Sequence, residues 1–279
     1  MLVYHSRFLT RAEIWFDDEP DDRRVDWILY RMRSHPVPGT KCKPFHTFLV
    51  DLTVSDNELL ARLHKDTIHK IKRARDNEKV VCETPDPSDP AVLDQFEEVY
   101  NRFAARKGLL PVQREILDNL AEVGRLDLSL AKDAQGNPLV YHANYRAKER
   151  VSGTYSVSLY RELSDSSVRN AIGRANRYLT WYDLLRYKAD GVKAFDFGGW
   201  YTGATDEALL KINEFKRGFG GQIVREYQCE QILTLKAMVL LTVADLLNKA
   251  RTWPQRSKQV LENHVHAQTN TRKVSASLR

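Results

Sequence analysis

Four groups of residues have types and spacings that could do chemistry. The first is Lys216, which follows Phe215 and precedes Arg217-Gly218-Phe219-Gly220-Gly221. An ammonium can offset negative charge as it develops on a reacting oxygen, and glycines beside it let the chain turn tightly or let another group approach the backbone. Lys216 also ends a helical pattern that begins at Asp206, where the helix dipole alone favours a cation. The second is Asp196, in Phe195-Asp196-Phe197-Gly198-Gly199, followed by Tyr201 and Glu207. A carboxylate at a strand end can take a proton, and it can equally form a turn or cap a helix. The third is a run of five cations in eleven residues, Lys65, Lys70, Lys72, Arg73 and Arg75, with His64 and His69 among them. That run reads as a phosphate-binding face or as a solvated helix face. The fourth is Asn170-Ala171-Ile172-Gly173-Arg174-Ala175, a glycine just ahead of a helical pattern, which reads as a simple turn or as a phosphate-binding helix N-terminus. His142 lies in a strand pattern and reads as a packed histidine before it reads as a base.

The elements that must position these groups follow from periodicity and punctuation. Residues 1–46 mix buriable Trp15, Trp27, Ile28 and Tyr30 with an acidic turn at 17–22 and a proline-rich loop through Pro36, Pro38, Gly39 and Pro44. One or two edge elements are expected there. Phe48 to Leu52 reads as a strand, and Ser55 with Glu58 forms a capping box ahead of Leu59, Leu60 and Leu63. The basic run continues that helix, with a break. Lys79 to Glu83 is a short strand. Asp89-Pro90 opens a helix with Phe96, Tyr100 and Phe103 on one side and Gly108 at its end, and Pro111 opens another. Leu126 to Ala131, Leu139 to Arg146 and Arg150 to Tyr160 alternate as three antiparallel strands around the turn Gln135-Gly136-Asn137-Pro138. A polar loop, Ser164 to Ser167, leads to a helix expected to begin near Arg174 and to close at Gly191. A strand from Val192 to Phe197, the lysine helix, a strand from Gln222 to Gln231 and an amphipathic helix from Leu235 to Ala250 complete the pattern. Residues 254–279 are polar and are expected to be disordered.

Composition limits the partners. The chain has 279 residues with 42% hydrophobic and 29% charged content, enough for a sizeable core. A net charge of +6 favours anionic partners such as phosphates, nucleic acid or an acidic membrane face. Cys42, Cys82 and Cys229 are widely spaced and odd in number, so neither a zinc site nor a disulfide framework is expected, and a reducing compartment is. The first residues lack an apolar signal core, and the apolar run from Ile232 to Leu247 is interrupted by Lys236 and Asp245.

The order of elements from residue 126 on resembles the GNAT acyltransferase fold, and Asn170 to Ala175 is similar to that family's Gln/Arg-x-x-Gly-x-Gly/Ala signature, with Asn at the first position. Across residues 47–231 the combination of Thr47-Phe48-Leu49-Val50-Asp51-Leu52, the basic helix, Phe195-Asp196-Phe197-Gly198-Gly199 and Phe215-Lys216-Arg217-Gly218-Phe219-Gly220-Gly221 resembles the Fem-type branch of that superfamily. The resemblance implies an α/β fold with a GNAT-like mixed, bent sheet and flanking helices, arranged as two GNAT-like halves of which the N-terminal one is reduced. The halves would be residues 1–125 and 126–253. It implies acyl transfer to an amine or hydroxyl, with Lys216 as the catalytic cation, and Asp196, at a strand end beside two glycines, is the candidate catalytic base. Phe215, Asn170, Gly173, Arg174 and Ala175 would hold the donor, and Lys70, Lys72, Arg73 and Arg75 a phosphorylated or lipid-linked acceptor.

The helical hairpin of several aminoacyltransferases of this branch is not evident, and the chain is shorter than a full two-domain member. Acyl-CoA is therefore the expected co-substrate, with no bound cofactor and no metal, in peptidoglycan or exopolysaccharide biosynthesis. An aminoacyl-tRNA donor in peptidoglycan bridge formation is the alternative, and a non-enzymatic basic RNA- or phosphate-binding module is a third reading. A cytoplasmic location is expected, free or in peripheral contact with the inner face of the membrane, and no DNA partner.

Overall fold

The computed structural model describes residues 1–5, 8–21, 24–159 and 166–252, with the backbone alone from 245 onward. The tail expected at 254–279 lies outside the described residues. In chain order the strands are β1 (Leu2–His5), β2 (Thr10–Trp15), β3 (Trp27–Arg33), β4 (Lys41–Asp51), β5 (Val81–Glu83), β6 (Leu126–Lys132), β7 (Pro138–Arg146), β8 (Arg150–Ser158), β9 (Ala194–Gly199) and β10 (Gln222–Ile232). The helices are α1 (Asp56–Arg62), α2 (Lys65–Lys72), α3 (Pro90–Lys107), α4 (Arg114–Glu122), α5 (Ser166–Ala189), α6 (Glu207–Arg217) and α7 (Leu235–Thr252). A π-helical turn, Arg73–Asn77, continues α2.

The chain divides into two compact units, one of residues 1–47, 199–213 and 223–279, the other of 48–198 and 214–222. Their segments interleave in sequence, whereas the sequence reading divides the chain once, after residue 125. In the second unit β6, β7 and β8 form the expected antiparallel meander, and β5 pairs antiparallel with β6. The 24-residue helix α5 then carries the chain back, so that β9 lies parallel to β8 with Val151 opposite Phe195 and Ser152 opposite Asp196. Parallel neighbours need such a crossover, and its length is what a helix supplies. Val140 and Ala131 on the meander pack against Ile172, Ala175 and Leu179 of α5. Leu59, Leu117 and Leu184 are fully buried elsewhere in this unit.

Local signals explain the helix boundaries. The Ser55 hydroxyl accepts from the Glu58 N–H at 3.2 Å and caps α1. Asp89 caps α3 by accepting from the Ala91 N–H at 2.9 Å, Pro90 takes the first turn, and Gly108 ends the helix at φ 65°.

The strands of the first unit pair in a mixed pattern. Here β1 and β2 are antiparallel, β2 and β3 parallel, and β3 and β10 antiparallel. This is more sheet than the one or two edge elements expected. The strands β2 and β3 are buried along nearly their whole length, which removes the alternation that marks a half-buried strand. Ala237 and Leu241 of α7 pack against Leu9, Trp27 and Leu29. Cys42 and Cys229 form a disulfide within this unit, which corrects the expectation that the three cysteines make none. The two lie 187 residues apart, and nothing in their spacing reveals that β4 and β10 bring them together.

Candidate functional site

The FKRGFGG segment closes α6 and folds back on the start of the second unit. An added Cβ on Gly220, which has φ 71°, would collide with the backbone of Arg62, and one on Gly221 with the carbonyl of Leu49. Both glycines therefore admit the protein's own backbone at close range. The His64 N–H donates to the Gly218 carbonyl at 3.0 Å and ties the segment to the start of α2. Phe197, Phe215 and Phe219 cluster here, with Phe219 5.3 Å from each of the other two rings.

Lys216 lies in the last turn of α6 and is only 5% exposed. Its Nζ donates to the Gly198 carbonyl at 3.3 Å. Burial pushes the ammonium down to about 7, and the neighbouring Asp196 carboxylate opposes that shift without cancelling it. Asp196 sits on β9, is fully buried, accepts from the Gly198 N–H at 2.7 Å and is ion-paired with Arg150 at the start of β8. Lys216 and Asp196 are thus brought together, with Arg150 as a third charge that sequence reading did not single out. The Arg150–Asp196 pair spans 46 residues and depends on the parallel register of β8 and β9.

The other candidates are placed differently. Asn170, Gly173, Arg174 and Ala175 lie inside α5, which begins at Ser166 and not near Arg174. This corrects the expected loop: backbone N–H groups beyond a helix's first four residues donate to its own carbonyls, so they are not offered to a phosphate. Ala175 is buried in the core beside Ile172, and Arg174 is ion-paired with Glu78 through its Nε at 2.6 Å. In the basic segment, Lys70 pairs with Asp66 at 2.7 Å, Arg73 with Glu78 at 3.4 Å and Arg75 with Asp76 at 2.7 Å. Lys72 is exposed and has no ion pair among the described residues. His142 is held on both ring nitrogens, by Asp183 at 2.8 Å and Asn176 at 3.0 Å, and the Ser129 hydroxyl donates to the same Asp183 oxygen. Both nitrogens being occupied, it is a packed histidine. Tyr201 and Asn213 exchange hydrogen bonds within the first unit, with the Asn213 amide donating to the Tyr201 carbonyl at 2.7 Å. Burial raises the Cys82 thiol to about 12, which leaves it inert at neutral pH.

No family model matches the chain, and no curated protein matches it in sequence. Solved structures do. The fold is similar to that of FemX, with 16% identity, a TM-score of 0.54, and 67% of this chain aligned to 61% of FemX. The match therefore spans less than two thirds of FemX. The fold is also similar to the C-terminal domain (DUF2156) of a candidate lysylphosphatidylglycerol synthetase from Agrobacterium fabrum, with 14% identity, a TM-score of 0.53 and 88% of each chain aligned. At these identities the likeness is one of fold. The chain has a mixed α/β fold similar to theirs, with helices flanking a bent mixed sheet.

Proposed function

We propose that the protein is an acyltransferase that moves an acyl group from a thioester or ester donor to an amine or hydroxyl, with Lys216 at the reacting centre. One observation carries the reading: a buried lysine beside a carboxylate, at the position the Fem-type resemblance assigns to transfer. An ammonium lowered to about 7 gives up and regains its proton near neutral pH. As a free amine, Lys216 takes the proton of the attacking amine or hydroxyl as the new bond forms to the acyl carbon. The resulting ammonium then stands beside the oxyanion. The bond to sulfur (or to the tRNA ribose oxygen) breaks, and the proton passes to that leaving group. Asp196 is fully buried and already paired, so in this scheme it positions Lys216 and does not itself reach the substrate.

A CoA thioester is the favoured donor and an aminoacyl-tRNA the second, the latter supported by the fold shared with FemX. The acceptor is proposed to be a phosphorylated or lipid-linked envelope precursor. Among the described residues no helix is long and apolar enough to cross a membrane. However, α7 exposes Leu235 at 77%, together with Met238, Val239 and Val243. That face, followed by a C-terminal stretch with Arg251, Arg256, Lys258, Arg272 and Lys273, suits peripheral contact with an anionic bilayer. A thermal-shift screen of acetyl-CoA against charged tRNA tests the donor. Stabilisation by one of them supports acyl transfer from that donor, and stabilisation by neither contradicts the reading.

A further inference from the structure

Arg177 lies on α5, and its guanidinium sits 5.0 Å from the centre of the Phe215 ring, one residue from Lys216. It is two residues, about half a turn, beyond Ala175, on a helix that also packs against α2. Its one hydrogen bond among the described residues runs from Nη1 to the Gly173 carbonyl at 3.2 Å. Its Nε is sealed from solvent with no partner. Asp66, whose charge acts on the guanidinium, is already bonded to Lys70 at 2.7 Å. Burial lowers the affinity of the guanidinium for its own proton.

Most other half-buried arginines of this unit are ion-paired. Arg150 is paired with Asp196, Arg174 with Glu78, and Arg186 with Asp127 and Asp183. Arg177, unlike these three, is desolvated without a carboxylate within ion-pair distance among the described residues. Taking a cation out of water costs free energy unless an anion meets it. A stack on an aromatic ring returns only part of that cost. A planar fork with several uncommitted N–H donors matches the geometry of a phosphate.

We propose that Arg177 is the anchor for a phosphate group of the acyl donor, held above Phe215 so that the acyl carbon reaches Lys216. The proposal rests on the acyl-transfer reading for the identity of the ligand as donor, while phosphate binding itself is measurable without turnover. CoA and tRNA both carry the required group. It also relocates phosphate recognition from the backbone of residues 170–175, whose N–H groups α5 consumes, to a side chain two residues further on.

The test uses the full chain, as wild type, Arg177→Met and Arg177→Lys, at fixed ionic strength. The probes are inorganic pyrophosphate, acetyl-CoA and a 3′-aminoacylated RNA minihelix, with thermal stability recorded in parallel. Charged hydrogen bonds of this kind predict a loss of roughly 10- to 100-fold in affinity for pyrophosphate in Arg177→Met, and a smaller loss in Arg177→Lys. Whichever of acetyl-CoA and the minihelix loses affinity in step names the source of the phosphate. The ligand-free Arg177→Met protein should melt no lower than wild type, because removing a desolvated, unpaired cation relieves a cost. A purely structural arginine predicts the reverse, a lower melting temperature with unchanged affinity. That result overturns the proposal. So does wild type that binds none of the three probes saturably, or Arg177→Lys matching wild type while Arg177→Met fails to fold. Loss of pyrophosphate affinity in a protein without acyl transfer would overturn the proposed function and leave the phosphate site standing.

Discussion

Replacing Lys216 by Met should make the protein more stable, and the gain should fade as pH rises. Lys216 is 5% exposed, and burial brings its ammonium from 10.5 to about 7. Between those values the unfolded chain holds a proton here that the folded chain has released. Stability rises with pH wherever the unfolded state binds more protons, so wild type is penalised below about pH 7 and recovers toward about pH 10.5. A shift of that size corresponds to a penalty on the order of 4–5 kcal/mol. Nearly all of it applies at about pH 7, and about 1 kcal/mol remains at about pH 10. Losing the bond to the Gly198 carbonyl subtracts about 1 kcal/mol from the gain at every pH. Methionine nearly matches the lysine stem in length, so little cavity forms. The assay is urea unfolding of both proteins from about pH 6 to pH 10, read as midpoints at a common slope. A gap of several kcal/mol at neutral pH that closes in base is expected. A gap independent of pH, or a Met variant less stable than wild type at neutral pH, refutes a desolvated amine at this position.

Three further outcomes follow from the same geometry. The kcat of acyl transfer should rise through about pH 7, as Lys216 loses its proton, and a profile flat across neutrality counts against its role as proton acceptor. Charge reversal at Lys72 should raise KM more than reversal at Lys70, Arg73 or Arg75, which are already paired, and the effect should shrink in about 1 M salt. Equal effects at all four positions would contradict that ranking. The double variant Met238→Asp/Val239→Asp should stop co-sedimenting with anionic vesicles while keeping its melting temperature, since both residues are exposed. Unchanged sedimentation removes α7 as the membrane-facing surface.

The legible parts of the fold are those written in local pattern. The meander β6–β7–β8 shows in its alternation and in the Gln135–Pro138 turn, and the caps Ser55 and Asp89 mark their helices directly. The start of α5 was hidden because Asn170 and Gly173 read as punctuation. No packing demands that glycine, since a Cβ there would meet nothing within 4 Å. The order and extent of β2 and β3 are not legible because Arg11, Glu13 and Arg31 interrupt their apolar pattern, and these are buried as ion pairs, with Arg31 3.1 Å from Glu13. At the site, Lys216 and Asp196 could be chosen from sequence because each adjoins glycines in a recognisable segment. Arg150 and Arg177 could not, for their meaning comes from partners 46 and 38 residues away, brought near only by the folded second unit.

The central claim, that Lys216 carries acyl transfer, is tested most directly by turnover of Lys216→Ala under donor saturation. The readout is release of free thiol from acetyl-CoA, or of deacylated tRNA, in the presence of acceptor, with donor affinity measured alongside. Losing one charge-stabilising donor predicts a fall in kcat of roughly 100- to 1,000-fold with donor affinity unchanged. Lys216→Arg should recover only part of it, because a planar fork does not replace a compact ammonium. Lys216→Ala that turns over at close to the wild-type rate would contradict the account.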